Sequence, residues 1–196
     1  QAVMKAWRAG IVVVVSAGNH GPGPQTIGVP GNVPYVVTVG AMTDNFTPAD
    51  GADDRLATWS STGPTFEGFV KPDLVAPGGH LLSLMEKSDY LPKLYPEFHD
   101  ANIFFTMSGT SQAAAVVSGV AALILSANPA LSNNDVKCAL ISSTRLAIDS
   151  QTAVELAAKR DIARPRIETQ SIIDRFAIVA LEAGKQPGDG LRIFSD

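Results

Sequence analysis

The stretch "FTMSGTSQAAAVVSGVAALILSANP", residues 105–129, decides how the chain is built. A short polar knot, Ser108-Gly109-Thr110-Ser111, runs straight into Ala, Val, Leu and Ile. Side chains small on every face let a helix pass through a crowded core, so this segment reads as a central, interior helix. The first turn of such a helix has unpaired backbone N–H groups, and its dipole favours negative charge. A hydroxyl held there can act as a nucleophile whose developing oxyanion meets ready-made donors. Gly109 lets backbone or substrate approach without a Cβ in the way. Three residues qualify as the nucleophile, Ser108, Thr110 and Ser111, and position favours the last two. Ser and Thr are also preferred helix caps, so this stretch alone favours a purely structural reading.

A second stretch, "VVVVSAGNHGPGP" at 12–24, ends a buried strand in a glycine-rich turn. Ser16, Gly18, Asn19, His20 and Gly21 emerge at its C-terminal end, where open α/β sheets handle ligands. An Asn amide placed there can donate a hydrogen bond to an oxyanion. An Asn in a glycine-rich turn is also ordinary turn chemistry.

Between and around these stretches the chain reads as one α/β domain. The N-terminal "QAVMKAWRAG" reads as an amphipathic helix stopped by Gly10, followed by strands at 11–15 and 35–39. "SSTGP" at 60–64 is turn chemistry, and "KPDLVAPGG" at 71–79 is a brief strand between proline-marked bends. Residues 80–102 read as an inserted surface loop or short helices broken by Pro92 and Pro96. The central helix should end near Asn128-Pro129. Ser132 and Asp135 form a capping-box pattern for the next helix, whose apolar face is Val136, Ala139 and Leu140. Further helices are expected at 152–159 and 171–183, with an edge strand after them.

Composition removes several function classes. The 196 residues are 45% hydrophobic and carry a formal net charge of -4, with no basic patch interleaved with aromatics, so nucleic acid is not an expected partner. The uninterrupted apolar runs, 11–15 and 120–125, are far shorter than a bilayer span, so no membrane association is expected. A single cysteine, Cys138, excludes an intrachain disulfide and a multi-cysteine metal site, and it reads as a small buried hydrophobe. No zinc pattern, no phosphate loop and no G-x-S-x-G elbow is present.

"SAGNHG" and "SGTSQAAAVVSG", in this order, resemble the asparagine and serine motifs of the subtilisin-like serine peptidases, the subtilases. "GVPGNVPYVVTVGA", "WSSTGP" and "KPDLVAPGG" are also similar to stretches of that family, so the resemblance covers about residues 1–145 and leaves 146–196 as a divergent tail packing on or beside the domain. It implies a three-layer α/β/α sandwich with a mostly parallel sheet, incomplete in this chain. Ser111 matches the nucleophile and Asn19 the oxyanion-hole side chain, with the Ser111 N–H as second donor. The implied reaction is hydrolysis of a polypeptide through an acyl-enzyme. Substrate would lie extended against Val15, Ser16, Ala17 and Gly18, beside a pocket loop containing Gly28, Val29, Pro30 and Gly31, with Gly109 and Thr110 under the scissile bond. Where the family usually has Met and Pro after the nucleophile, this sequence has Gln112 and Ala115. Gln112 therefore needs a hydrogen-bond partner or an exposed position.

The family carries its Asp and its His base upstream of the asparagine motif, and neither matches a residue here. His20, His80 and His99 do not correspond to the base. A serine hydroxyl is weak without one, so the isolated chain is expected to be inactive. A companion N-terminal fragment or chain is expected to bring the Asp, the His and the first strands. The resemblance further implies a secreted or extracytoplasmic setting and no required cofactor. Subtilases often carry calcium, and the acidic excursion from Asp44 to Asp54 offers oxygen ligands, although its spacing fits no EF-hand and suits a solvated loop. The alternative reading is a catalytically inactive subtilase-like module used for protein binding or as a structural element.

Overall fold

Helix α1 (Ala2–Arg8) carries the chain to Gly10, whose φ of +84° suits glycine and turns the backbone toward the first strand. The computed structural model describes residues 1–46, 54–100 and 103–144. Strand β1 (Val14–Ser16) is shorter than the apolar run suggests. Its partner β2 (Val37–Thr43) begins opposite Val14, so the ladder starts only there, and Ile11 is left exposed. Strand β4 (Leu74–Pro77) pairs parallel with the other edge of β2, from Val39↔Leu74 to Met42↔Pro77. The two-residue β3 (Arg55–Leu56) runs antiparallel to the end of β2. The central sheet is therefore mostly parallel, and every residue of β2 from Val37 to Met42 is buried, as a strand covered on both faces requires.

Helix α3 (Thr110–Ala127) lies against one face of that sheet. Its Ala113, Val117, Val120 and Ile124 join Val37, Val39 and Ala41 of β2 and Leu74 and Ala76 of β4 in one core. The alternate residues of β2 are covered on the opposite face. A Cβ added to Gly40 would meet Ser60 Oγ, Pro72 and Val75. The expectation that α3 is interior on every side needs correcting. Ala115, Ser118, Gly119, Ala122 and Leu123 are exposed among the described residues, because the sheet and the helix that follows cover only the other side. The helix is also long and apolar enough to cross a bilayer, by length and composition only, although its packing on three strands gives that composition a core role.

Residues 80–107 form more than a loop. Strand β5 (Leu81–Leu84) pairs antiparallel with β6 (Phe104–Met107), with short helix α2 (Tyr90–Leu94) and a 3-10 turn (Pro96–Phe98) between them. This ribbon takes the chain from the end of β4 back to the start of α3. Phe105 is buried and meets Phe98 edge to face. The predicted capping box is present on α4 (Asn133–Ser143): Asp135 N donates to Ser132 Oγ, and Ser132 N donates back to Asp135 Oδ2. Val136, Ala139 and Leu140 are buried as read from the sequence. Cys138 is exposed, which corrects its expected burial. It lies roughly 200° round the helix from Val136 at 100° per residue, beyond the core-facing stripe. The expected elements at 152–159 and 171–183 and the edge strand lie outside the described residues.

One ion cluster ties the base of the sheet. The Lys71 side chain is buried, and its Nζ donates to Asp73 Oδ2 at 2.6 Å and to the Val36 carbonyl at 2.9 Å. Lys137 on α4 reaches Asp73 Oδ1 at 3.0 Å. Burial pulls the Lys71 ammonium down from 10.5 to about 8 against the opposing pull of Asp73. Between those two pH values the unfolded chain binds more protons than the folded one, so this group's contribution to stability rises with pH across that window. Lys71→Met should abolish that rise. Denaturant midpoints measured from about pH 7 to pH 10.5 should show wild type gaining stability relative to the variant above about pH 8.

Candidate active site

The C-terminal end of β1 and the N-terminal end of α3 meet through one side chain. Asn19 Oδ1 accepts the Thr110 N–H at 3.0 Å and the Thr110 hydroxyl at 2.9 Å. Thr110 Oγ1 in turn accepts the Gly18 N–H at 3.2 Å. With its oxygen engaged on the helix, Asn19 is left with its Nδ2 donor as the free end. Gly18 has φ +111°, and a Cβ there would stand 2.8 Å from Ser61 Oγ, so the turn that presents Asn19 requires glycine. Ser61 Oγ also accepts the His20 N–H, which fixes the far side of the turn.

Gly109 defines the space between the two donors. A Cβ placed on it would lie 3.6 Å from Asn19 Nδ2 and 3.7 Å from the Ser111 N. The Asn19 amide and the start of α3 therefore border one small volume at Gly109, which the Gln112 side-chain oxygen also enters, 2.7 Å from that Cβ position. The Gly109 N–H donates to the Gly78 carbonyl at 2.8 Å, so the end of β4 fixes this residue from below.

The three candidate hydroxyls are now separated. Ser108 Oγ accepts the His80 N–H at 2.9 Å. Thr110 is 1% exposed, and its hydroxyl is engaged by Asn19 and Gly18. Ser111 is exposed, and its hydroxyl makes no hydrogen bond among the described residues. Thr110, expected under the substrate, thus holds Asn19 in place from a buried position. Gln112 meets its requirement by donating to Met107 Sδ at 3.6 Å, and its Oε1 lies against Gly109.

Of the expected substrate-contacting residues, Gly18 is tied to Thr110 at this point, whereas the buried Ala17 and Gly31 have no exposed side to offer a substrate. Val15 and Ser16 close β1, Ala17 is buried, and Gly28 N donates to the Ala17 carbonyl at 2.9 Å. Gly31 is buried against Gly28 O and Ser16 O, where a Cβ would be 2.9 Å and 3.1 Å away. Val29 projects with 86% exposure, and Pro30 follows it at the loop tip. Reasoning from residues placed Ser61 and Gly78 in turn-forming stretches but missed their contacts with His20 and Gly109. A glycine next to a proline-ended strand was the one signal for Gly78.

None of the three imidazoles hydrogen-bonds Ser111. His20 is exposed, the His80 ring stacks on Phe46 at 3.6 Å, and His99 bonds the Met85 and Asp100 carbonyls. Of the acidic excursion, residues 47–53 lie outside the described residues. Asp44 Oδ1 accepts the Phe46 N–H in a local turn.

Residues 1–168 match the profile of the subtilase family, peptidase S8. Over 144 residues the chain is 49% identical to serine protease AprX of Bacillus subtilis (strain 168), covering 74% of this chain and 32% of that protein. It is 38% identical over 145 residues to subtilisin DY of Bacillus licheniformis, covering 73% of this chain and 43% of that protein. Among solved structures, Sphericase superposes with a TM-score of 0.57 at 29% identity, over 73% of this chain and 43% of that one. The chain thus spans about a third to under half the length of these relatives.

Thr110→Val tests the tie between the two elements. It leaves the Gly18 N–H and Asn19 Oδ1 short of a partner and should cost about 1–3 kcal/mol in denaturant unfolding. Gly109→Ala should behave in the opposite way. Its extended backbone suits any residue, and the new Cβ meets only the flexible end of Gln112, 2.7 Å away, which must swing aside. Stability should therefore change by less than about 1 kcal/mol, while covalent labelling of Ser111 should slow because the methyl group lies between the two donors.

Proposed function

The chain belongs to the subtilase family, and on that premise we propose that it supplies the nucleophile and oxyanion-binding groups of a serine endopeptidase. Its relatives are a serine protease and a subtilisin, which supports peptidase chemistry in general. The observation that carries the finer reading is the convergence of Asn19 Nδ2 and the Ser111 N on the Cβ-less face of Gly109, where the Gln112 side chain must move aside for a substrate oxygen.

In this reading Ser111 Oγ attacks the scissile carbonyl, and the carbonyl oxygen becomes an oxyanion at the Gly109 opening. Asn19 Nδ2 and the Ser111 N–H donate to it, in a place already built before charge develops. Collapse of the tetrahedral species expels the amine and leaves an acyl group on Ser111, which water then releases. The polypeptide lies extended along residues 15–18 with one side chain directed toward the loop at 28–31. Backbone pairing of this kind tolerates many sequences.

The proton must go to a base that this arrangement does not provide, since no imidazole here bonds Ser111. We therefore assign the Asp and His to a companion segment or chain. The exposed small-residue side of α3 and the free edge of β1 offer it a surface among the described residues. A secreted or extracytoplasmic setting belongs to the same proposal. No cofactor takes part in the chemistry.

The test is labelling of the assembled protein with a serine-reactive phosphonofluoridate, followed by peptide mapping. Modification of Ser111 that disappears on prior heat denaturation is expected. Asn19→Ala should lower kcat by about 10²–10³-fold with little change in KM. A folded, complete assembly that leaves Ser111 unlabelled would favour the non-catalytic binding module instead.

A further inference from the structure

The loop at 28–31 is held at its start by the end of β1 and from behind by a charge cluster at the far end of β2. At its start, Gly28 N donates to the Ala17 carbonyl at the end of β1. Inside the loop, Asn32 N reaches Gly28 O at 3.2 Å and Val33 N reaches Pro30 O at 3.0 Å, so it turns back on itself. The chain then enters β2 through three residues, Pro34, Tyr35 and Val36, whose carbonyls all converge on one group. Lys137 Nζ lies 3.0, 3.2 and 2.9 Å from them in that order. Lys71 Nζ shares the Val36 carbonyl at 2.9 Å.

Both ammonium groups are held by Asp73, Lys71 at 2.6 Å and Lys137 at 3.0 Å. The same carboxylate accepts the Thr38 N–H at 2.7 Å, and the Thr38 hydroxyl donates to the Gly31 carbonyl at 2.7 Å. A continuous path of short polar contacts thus runs from Asp73 through Thr38 to the loop. A second path runs from the two lysines to the carbonyls behind it. Side-chain exposures of 1% for Lys71, 11% for Asp73 and 16% for Lys137 place these charges largely out of water. Buried charges of this kind are poor sources of net stability, and removing one partner strands the others. What they supply here is a fixed geometry.

We propose that Lys71, Asp73 and Lys137 are positioning residues that hold the loop at 28–31 in the shape that receives a substrate side chain. The inference rests on the protease reading above and deepens it by placing control of substrate fit at the opposite, N-terminal end of β2. None of the three touches substrate. Their effect reaches it through Thr38, Gly31 and the backbone of residues 34–36. Loss of the anchor weakens ground-state and transition-state binding alike, so it should appear in KM and leave kcat in place.

The experiment compares Lys137→Met, Lys137→Arg and Val136→Ala in the assembled protease. Val136 is buried on the same helix and serves as the control for simple loss of stability. Lys137→Met should raise KM for peptide substrates roughly tenfold with kcat within about twofold. Lys137→Arg, which keeps a cation at the carbonyls, should restore most of the affinity, and Val136→Ala should keep the wild-type KM. Hydrogen exchange of the backbone across residues 28–38 should quicken in Lys137→Met and stay slow in Val136→Ala. Should Lys137→Met fail to fold, Lys137→Gln carries the same comparison. Equal KM values and equal exchange in Lys137→Met and Val136→Ala would overturn the positioning role. Exchange needs no catalysis, so absence of Ser111 labelling in wild type would count against the protease reading while this measurement still judges the loop.

Discussion

Everything at the candidate site depends on a three-way contact between residues 91 apart in sequence: Asn19 Oδ1 accepting both the amide and the hydroxyl of Thr110. The contact joins the end of β1 to the start of α3. It also orients Asn19, because an amide whose oxygen is fully engaged must turn its nitrogen outward. Thr110 can do this only because its own hydroxyl donates to Asn19 and accepts from Gly18 at once. The result is a pair of N–H donors set in advance on the Cβ-less face of Gly109. Preorganised donors of this kind act without reorganising when charge appears, which makes electrostatic stabilisation effective.

The rest of the described fold brings these two ends together. Parallel pairing of β1, β2 and β4 lines up their C-terminal ends, and α3 crosses the sheet through a core of Val, Ala, Leu and Ile. The β5–β6 ribbon returns the chain to that same edge, where Gly78 receives the Gly109 amide. At the other end of β2, the charges of Lys71, Asp73 and Lys137 fix the approach to the strand. The sheet thus has one edge that carries the candidate site and another tied by charge, joined by the buried length of β2.

Much of this is legible in the sequence, for identifiable reasons. Continuous apolar runs reveal the strands, and Ser132 with Asp135 reveals the start of α4, because both signals are local. The β5–β6 pairing is not legible. Leu84 pairs with Phe104 across a proline-broken segment, and neither strand carries a turn signal toward the other. The exposure of Cys138 and of one side of α3 depends on what packs beside each helix, which composition does not state. At the site, the motif resemblance singles out Asn19 and Ser111, whereas residue chemistry leaves Ser108, Thr110 and Ser111 unresolved. Burial and hydrogen bonding separate the three. The Lys71–Asp73–Lys137 cluster joins segments too far apart for any spacing rule to reveal it.

The central claim is that Asn19 and Ser111 address a single atom of the substrate. The most direct measurement is a crystal structure of the assembled protein carrying a phosphonyl group bonded to Ser111 Oγ. The account predicts a phosphonyl oxygen within about 3 Å of both Asn19 Nδ2 and the Ser111 backbone nitrogen, seated beside Gly109. A phosphonyl oxygen directed away from Asn19, or a group bonded to Ser108 or Thr110 instead, would contradict it.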